Sequence, residues 1–359
     1  MPETTHPEFN EKTEALEVAK AFAKNLRGKT VFVTGGNPGG LAFATCQAFA
    51  SQSPAHIIIA SRTQSKIEQC IDLLKAEYPA VDYRALVVDL SSQKSVRKAA
   101  AEVLSWTDIP TIDIVVNNAG VMGIAERTLS EDGVEMHFAT NHIGHWLLTC
   151  SLMPKLIAAA KKNPKGTTRV VNVSSASPRL GGIRWSDMHF NKLNKDLPED
   201  EQPNYELLEA WAYKNARDTA YQGLEAYNVS KVANVLFGVE ANKRLYEKHG
   251  IFTVALHPGL IMTELGRSFP PENLAAVMSM LQSGIYVSKT LAAGTSTTLV
   301  AALDPKLGPG GTRNGKENYG AYMDDCQISE EALPRCVSSA QGERLWKLSE
   351  ELVNEKFNW

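Results

Sequence analysis

The chain has 359 residues, 43% of them hydrophobic and 21% charged, and 37 Lys and Arg against 40 Asp and Glu leave a net charge of −3. Such a chain buries a large core, and its ordinary composition excludes disordered and collagen-like classes. The near-balanced charge argues against nucleic acid or an anionic membrane as the main partner, since both need a basic surface.

The N-terminus is acidic and has no apolar core, so no secretory signal is expected. Residues 11–27 place Ala15, Leu16, Val18, Ala19, Phe22 and Leu26 at helical spacing, which predicts a helix on the domain edge. From Lys29 short β-branched runs alternate with helical segments. The runs are Thr30–Thr34, His56–Ala60, Tyr83–Asp89, Ile112–Asn117, Arg169–Ser174 and Phe252–His257. Nearly continuous apolar strings of this kind suit parallel strands covered on both faces, and their alternation with helices predicts an α/β fold with a doubly wound parallel sheet. The stretch Met136–Pro154 carries no Asp, Glu, Lys or Arg, but it holds His137, Asn141, His142, Gly144 and His145. It reads as a buried core helix rather than a membrane span. Residues 178–226 break the rhythm as an insert rich in acids, Asn and aromatics. An irregular segment, 264–289, follows the sixth run. Helix returns after Ser329, with Leu345, Trp346, Leu348, Leu352 and Val353 on one face. The expected organisation is a helical extension (1–28), one α/β domain (29–328) and a C-terminal helical segment (329–359). Five widely spaced cysteines, with no Cys-x-x-Cys pair, suit buried thiols in a reducing, cytoplasmic setting.

The first run leads into Thr34-Gly35-Gly36-Asn37-Pro38-Gly39-Gly40-Leu41-Ala42 and then a helix. In that context glycines let backbone approach a pyrophosphate, and the helix N-terminus supplies N–H groups; Gly35, Asn37, Gly39, Gly40 and Leu41 are the candidates. The second run ends at Ser61-Arg62. An acid at this place would accept a ribose 2′-hydroxyl, whereas Arg62, with Lys66 as a second charge, favours a 2′-phosphate, so the implied cofactor is NADP(H).

Tyr227-Asn228-Val229-Ser230-Lys231 puts Tyr227 and Lys231 on one helix face, where an ammonium can make a phenol a usable proton shuttle. Ser174 and Ser175 end the fifth run, where a hydroxyl can bind a substrate carbonyl. A metal on the His137, His142 and His145 cluster is set aside for want of further ligands.

These motifs, together with Asp89-Leu90, Asn117-Asn118-Ala119-Gly120, Asn141, Asn172-Val173-Ser174-Ser175 and Pro258-Gly259-Leu260-Ile261-Met262-Thr263, resemble the short-chain dehydrogenase/reductase family over roughly Gly28 to Leu303. Thr140–His145, Ser230–Phe237 and His257 look like its retinol-dehydrogenase-like branch, fungal members included. The resemblance implies a Rossmann sheet. It gives Ser175 as the carbonyl-binding serine with Ser174 as runner-up, Tyr227 as the proton donor or acceptor, Lys231 as its partner and a nicotinamide-ribose ligand, and Asn141 as support for a relay water. It puts Asp89 and Leu90 beside the adenine, Asn118, Ala119 and Gly120 along the adenosine ribose, and Ile261 and Thr263 at the carboxamide or phosphate. Two departures stand out. The glycine spacing fits the family either with Leu41 at the third glycine or, with one extra residue, with Gly40 second and Ala42 third. The insert also separates Ser175 from Tyr227 far more than the family does.

The expected function is NADPH-dependent hydride transfer to or from the carbonyl or alcohol of a bulky apolar small molecule, beneath a lid made by 178–226 and 264–289. An epimerase or dehydratase on the same fold, and a silent cofactor-binding regulatory protein, are the alternatives. A homo-oligomer is expected from the resemblance alone.

Overall fold

Runs of Val and Ile without polar alternation need cover on both faces, and the computed structural model, which describes residues 1–359, sets them inside one sheet. Its strands are β1 (Thr30–Thr34), β2 (His56–Ser61), β3 (Asp82–Val87), β4 (Ile114–Asn117), β5 (Thr168–Val173), β6 (Ile251–Leu256), β7 (Tyr322–Asp324) and β8 (Gln327–Ile328). Their order is β3-β2-β1-β4-β5-β6-β7-β8; the first seven run parallel, and β8 returns antiparallel to β7. The order reverses between β1 and β4, paired through Val33 and Val116, and this opens a crevice at their C-terminal ends.

The six expected runs are strands, with ends shifted by one or two residues. Ile112 and Asp113 stand before β4, where the Asp113 carboxylate accepts the Thr30 backbone N–H at 2.9 Å. The pair β7–β8 is too short to show a period, and no strand was expected there.

Alternate residues of each strand enter opposite cores. Phe32, Ile58, Val115 and Val170 face a core with the helices Gln93–Ser105, Gly144–Ala160 and Gly223–His249. Val31, Val33, Ile57, Ile59 and Val116 face the other, built with the helices Leu41–Ala50, Gln64–Glu77 and Leu291–Leu303. The expected N-terminal helix is two short ones, Ala15–Ala21 and Ala23–Leu26, whose Val18, Ala19 and Leu26 join this second core; Leu16 stays exposed. The segment Met136–Ala160 is long and apolar enough to cross a membrane by composition, yet 72% of its most apolar window is buried inside the fold.

The C-terminal helix, Ser339–Val353, packs on Gly223–His249 and brings Trp346 edge-on to Trp146, with ring centroids 5.2 Å apart. The insert is ordered around Arg184, only 1% exposed, whose guanidinium donates to Asp187 Oδ2 at 2.6 Å, to the Lys192 carbonyl at 2.6 Å and to Asn194 Oδ1. Its aromatics divide between two tasks. Trp185 and Phe190 pack onto the main core, while Trp211 and Tyr213 join Phe269 and Tyr286 above Tyr227.

Candidate active site

β5 stops at Val173, and the chain places two serines at the rim of the crevice. Ser174 is buried and gives its hydroxyl to the Lys231 carbonyl at 2.7 Å. Ser175 is partly open, and its hydroxyl lies toward the Tyr227 phenol, whose pKa it lowers. Only Ser175 therefore has its hydroxyl at the phenol. Tyr322 in β7 fixes it from behind by donating to the Ser175 carbonyl at 2.7 Å.

Tyr227 and Lys231 lie one turn apart in the helix Gly223–His249. Lys231 Nζ donates to the Val173 carbonyl at 2.8 Å and sits 5.6 Å from the centre of the Tyr227 ring. Burial pushes the Tyr227 phenol up, and the nearby Ser175 hydroxyl opposes it. Burial also pushes the Lys231 ammonium down to about 7. The expectation that Lys231 pulls the phenol down is thus outweighed in this state: a shared dry pocket disfavours both charged forms, and the amine faces a backbone carbonyl.

Asn141 lies in a wider π-helical turn, Ala139–Ile143, of the kind often found at functional sites. Its amide bonds Val121 in both directions, at 2.9 and 3.0 Å, and reaches Ser230 Oγ at 2.9 Å. Its carbonyl meets His145 Nδ1 at 3.0 Å, while His145 Nε2 meets Thr34 Oγ1 at 2.8 Å. A relay water on that carbonyl would use its second lone pair.

At the glycine turn, the Asn37 carbonyl accepts from Gly40 N at 3.0 Å, with Pro38 and a left-handed Gly39 (φ +75°) between them. Gly40 caps the helix that starts at Leu41, and Ala42 is buried at 1%. The register with Gly40 and Ala42 as second and third glycines therefore matches this backbone. Gly35 packs against Asn118 and Ala119, where a Cβ would come within 2.8 Å of the Asn118 amide. Asn118 Nδ2 and the backbone N–H groups of Asn118 and Ala119 all donate to Thr34, each at 3.0 Å. A Cβ on Gly120 would stand 3.2 Å from Asn141 Oδ1 and 3.6 Å from Lys231 Nζ.

Arg62, just past β2, is exposed and has no ion-pair partner in the chain. Lys66 is paired instead with Glu264 at 3.2 Å, and Asn37 Nδ2 donates to the same carboxylate at 3.1 Å. Asp89 spends its carboxylate on Ser91, accepting from its N–H at 2.9 Å and its hydroxyl at 2.7 Å, and Leu90 is buried. Ile261 packs under Gly294, and Thr263 Oγ1 accepts from Leu265 N at 3.3 Å.

The sequence model of the short chain dehydrogenase family matches residues 29–187. An oxidoreductase of Fusarium equiseti is 36% identical over 251 residues, which are 70% of this chain and 94% of that protein. Retinol dehydrogenase 14 of Mus musculus is 30% identical over 338 residues, 91% of this chain and 86% of its own length. The chain belongs to the short-chain dehydrogenase/reductase family, in its retinol-dehydrogenase-like branch. A Mycobacterium paratuberculosis structure of 25% identity superposes with a TM-score of 0.61 over 94% of this chain and 98% of that one.

Short-chain dehydrogenase/reductases use nicotinamide cofactors, and the crevice of this one fits such a group. Gly39 would have no atom within 4 Å of a Cβ, so the turn is open above the helix N-terminus, and the Arg62 guanidinium is free. Sequence reasoning missed Thr34, Ser177, Asn228, Glu264 and Tyr322. Each acts through a contact distant in sequence or through a hydroxyl or amide that no motif marks.

Proposed function

We propose that the protein is an NADP(H)-dependent reductase or dehydrogenase that moves a hydride between nicotinamide and the carbonyl or alcohol carbon of a bulky apolar small molecule. The observation that carries this reading is the convergence of the Ser175 and Tyr227 side chains at the rim of the crevice, next to Lys231. Bound there, the cofactor supplies the hydride in reduction and takes it up in oxidation. Ser175 hydrogen-bonds the substrate oxygen, and Tyr227 gives its proton to that oxygen as negative charge develops. A phenol held protonated by burial is the right acid for an alkoxide. Lys231, near 7, exchanges protons at neutral pH and can restore the one that Tyr227 gives up.

Arg62 supports NADP(H) over NAD(H), since an unpaired guanidinium at the end of β2 suits a 2′-phosphate. Lys66 is a weaker candidate because Glu264 already holds it. The apolar substrate is supported by the cover over Tyr227, where Met122, Leu208, Trp211, Phe269, Val277 and Met280 cluster. Ile285 and Val287, in the segment 264–289 that supplies part of this cover, are 70% and 80% exposed. The five cysteines are buried and unbridged, which suits the cytoplasm.

The test is carbonyl-dependent loss of NADPH absorbance with aldehydes and ketones graded by size. Turnover is expected with bulky apolar carbonyls, and Tyr227→Phe should lose about 10²–10⁴-fold while still binding NADPH. NADPH binding without turnover on any carbonyl would point to a regulatory protein. Product formed without net NADPH use would point to an epimerase or dehydratase.

A further inference from the structure

The Ser175 hydroxyl has one proton and competing acceptors for it. Ser175 Oγ lies 2.6 Å from Ser177 Oγ and accepts the Ser177 backbone N–H at 3.0 Å. The Ser177 hydroxyl donates to Asn228 Oδ1 at 2.7 Å, and Asn228 Nδ2 donates toward Glu225 Oε2 at 3.4 Å. Ser177, Asn228 and Glu225 are all buried, at 2%, 6% and 6% exposure. A continuous polar chain therefore runs from the rim of the crevice to a buried carboxyl at the start of the helix Gly223–His249.

The direction of this chain depends on Glu225. A carboxylate only accepts, so ionised Glu225 holds the Asn228 NH₂ toward itself and turns the amide oxygen to Ser177. That oxygen takes the Ser177 proton. Ser177 Oγ is then left with lone pairs and takes the proton of Ser175. Protonated Glu225 reverses the order. Its O–H donates to the Asn228 oxygen, the amide turns its NH₂ to Ser177, and Ser177 points its proton at Ser175 Oγ. The Ser175 proton is then free for an oxygen in the crevice.

We infer that Ser177, Asn228 and Glu225 are positioning residues for the Ser175 hydroxyl, and that Glu225 releases the Ser175 proton to the substrate oxygen when it is protonated. The inference rests on the reading of Ser175 as the carbonyl-binding group. The groups facing Glu225 are Asn228 on its own helix, Arg184 and Tyr205 from the insert, and Arg335 from the segment before the C-terminal helix. The two arginines and the first-turn position favour the carboxylate. Burial outweighs them and holds Glu225 at about 7, so both directions of the chain are populated near neutrality.

The experiment is the pH profile of kcat and kcat/KM for carbonyl reduction at saturating NADPH. The wild-type protein is expected to lose about tenfold as pH rises through neutrality, the scale of one hydrogen bond to a developing oxyanion. Glu225→Gln cannot ionise and should turn over without that step. Ser177→Ala removes the competing acceptor from the other end and should also lose the step, which covers the case in which Glu225→Gln does not fold. A wild-type profile without the step overturns the inference. A step that persists in either folded variant also overturns it, and assigns the titration to Lys231. Tyr227→Phe separates the two claims: if it keeps full turnover, the reading of the crevice falls, whatever the pH profiles show.

Discussion

Lys66 Nζ and Glu264 Oε2 lie 3.2 Å apart and tie the helix after β2 to the segment after β6 across the mouth of the crevice. The same carboxylate accepts from Asn37 in the glycine turn at 3.1 Å. Glu264 thus presents an anion to two residues expected to meet the cofactor phosphates. Its removal should let both turn to the cofactor. Glu264→Ala is expected to tighten NADPH about two- to five-fold, a small effect because both partners are well exposed to solvent. Weaker NADPH binding in this variant, measured by titration, would show that the pair orders the crevice instead of competing for it.

Arg62 has no such competitor. Charge-assisted hydrogen bonds to a 2′-phosphate are worth enough that Arg62→Ala should weaken NADPH by about 10–150-fold, with NADH almost unchanged. Lys66→Ala should cost less than Arg62→Ala, because Lys66 must first leave Glu264. Equal losses for the two cofactors would remove Arg62 from the 2′-phosphate site.

The cover over Tyr227 is joined at Trp211. Its indole N–H donates to the Tyr286 hydroxyl at 2.9 Å, and its ring centre lies 5.5 Å from that of Phe269. Shortening 186–220 to a linker would strip Arg184 of Asp187 and Asn194 and leave its guanidinium unpaired, a loss that costs about 3–5 kcal/mol at a buried site. Trp211→Ala is the sharper change. It should raise KM for bulky apolar carbonyls about tenfold and spare small activated aldehydes. An unchanged substrate ranking in the folded variant would make Trp211 a packing residue only.

Acid should destabilise the fold through buried imidazoles. Burial pushes His142 down to about 3 and His145 and His257 down to about 4. Unfolded histidine titrates near ~6.5, so below that pH the unfolded chain binds protons that the folded chain refuses. The stability contributed by the neutral rings is complete above ~6.5 and is lost as pH falls toward the folded values, by up to about 1.4 kcal/mol per pH unit for each histidine. Thermal unfolding followed from pH 7 to pH 5 should show Tm falling. A flat Tm over that range would mean that these rings take up protons in the folded state.

The sheet and the catalytic pair were legible in the sequence for a local reason. Buried parallel strands need unbroken apolar runs, and Tyr227 and Lys231 meet because the helix repeat brings i and i+4 together. The glycine turn was legible as a place but not as a register. That waited on which residue capped the helix, and Gly40 does so, with Ala42 turned inward.

What only the tertiary structure decided were the contacts between distant segments. The family resemblance favoured Ser175 over its neighbour Ser174 without a physical reason; the fold supplies one, because the Lys231 carbonyl takes the Ser174 hydroxyl and Tyr227 faces Ser175. Lys66 looked like a phosphate ligand until Glu264, far along the chain, came within reach of it. The insert reads as one aromatic segment, yet Arg184 gathers its first half, whose Trp185 and Phe190 pack on the main core, while Trp211 docks its second half over Tyr227. Strand and helix follow here from unbroken apolar runs and from a 3.6-residue period, which a sequence displays directly, whereas the partner of a hydroxyl, amide or guanidinium is set by how the finished layers pack.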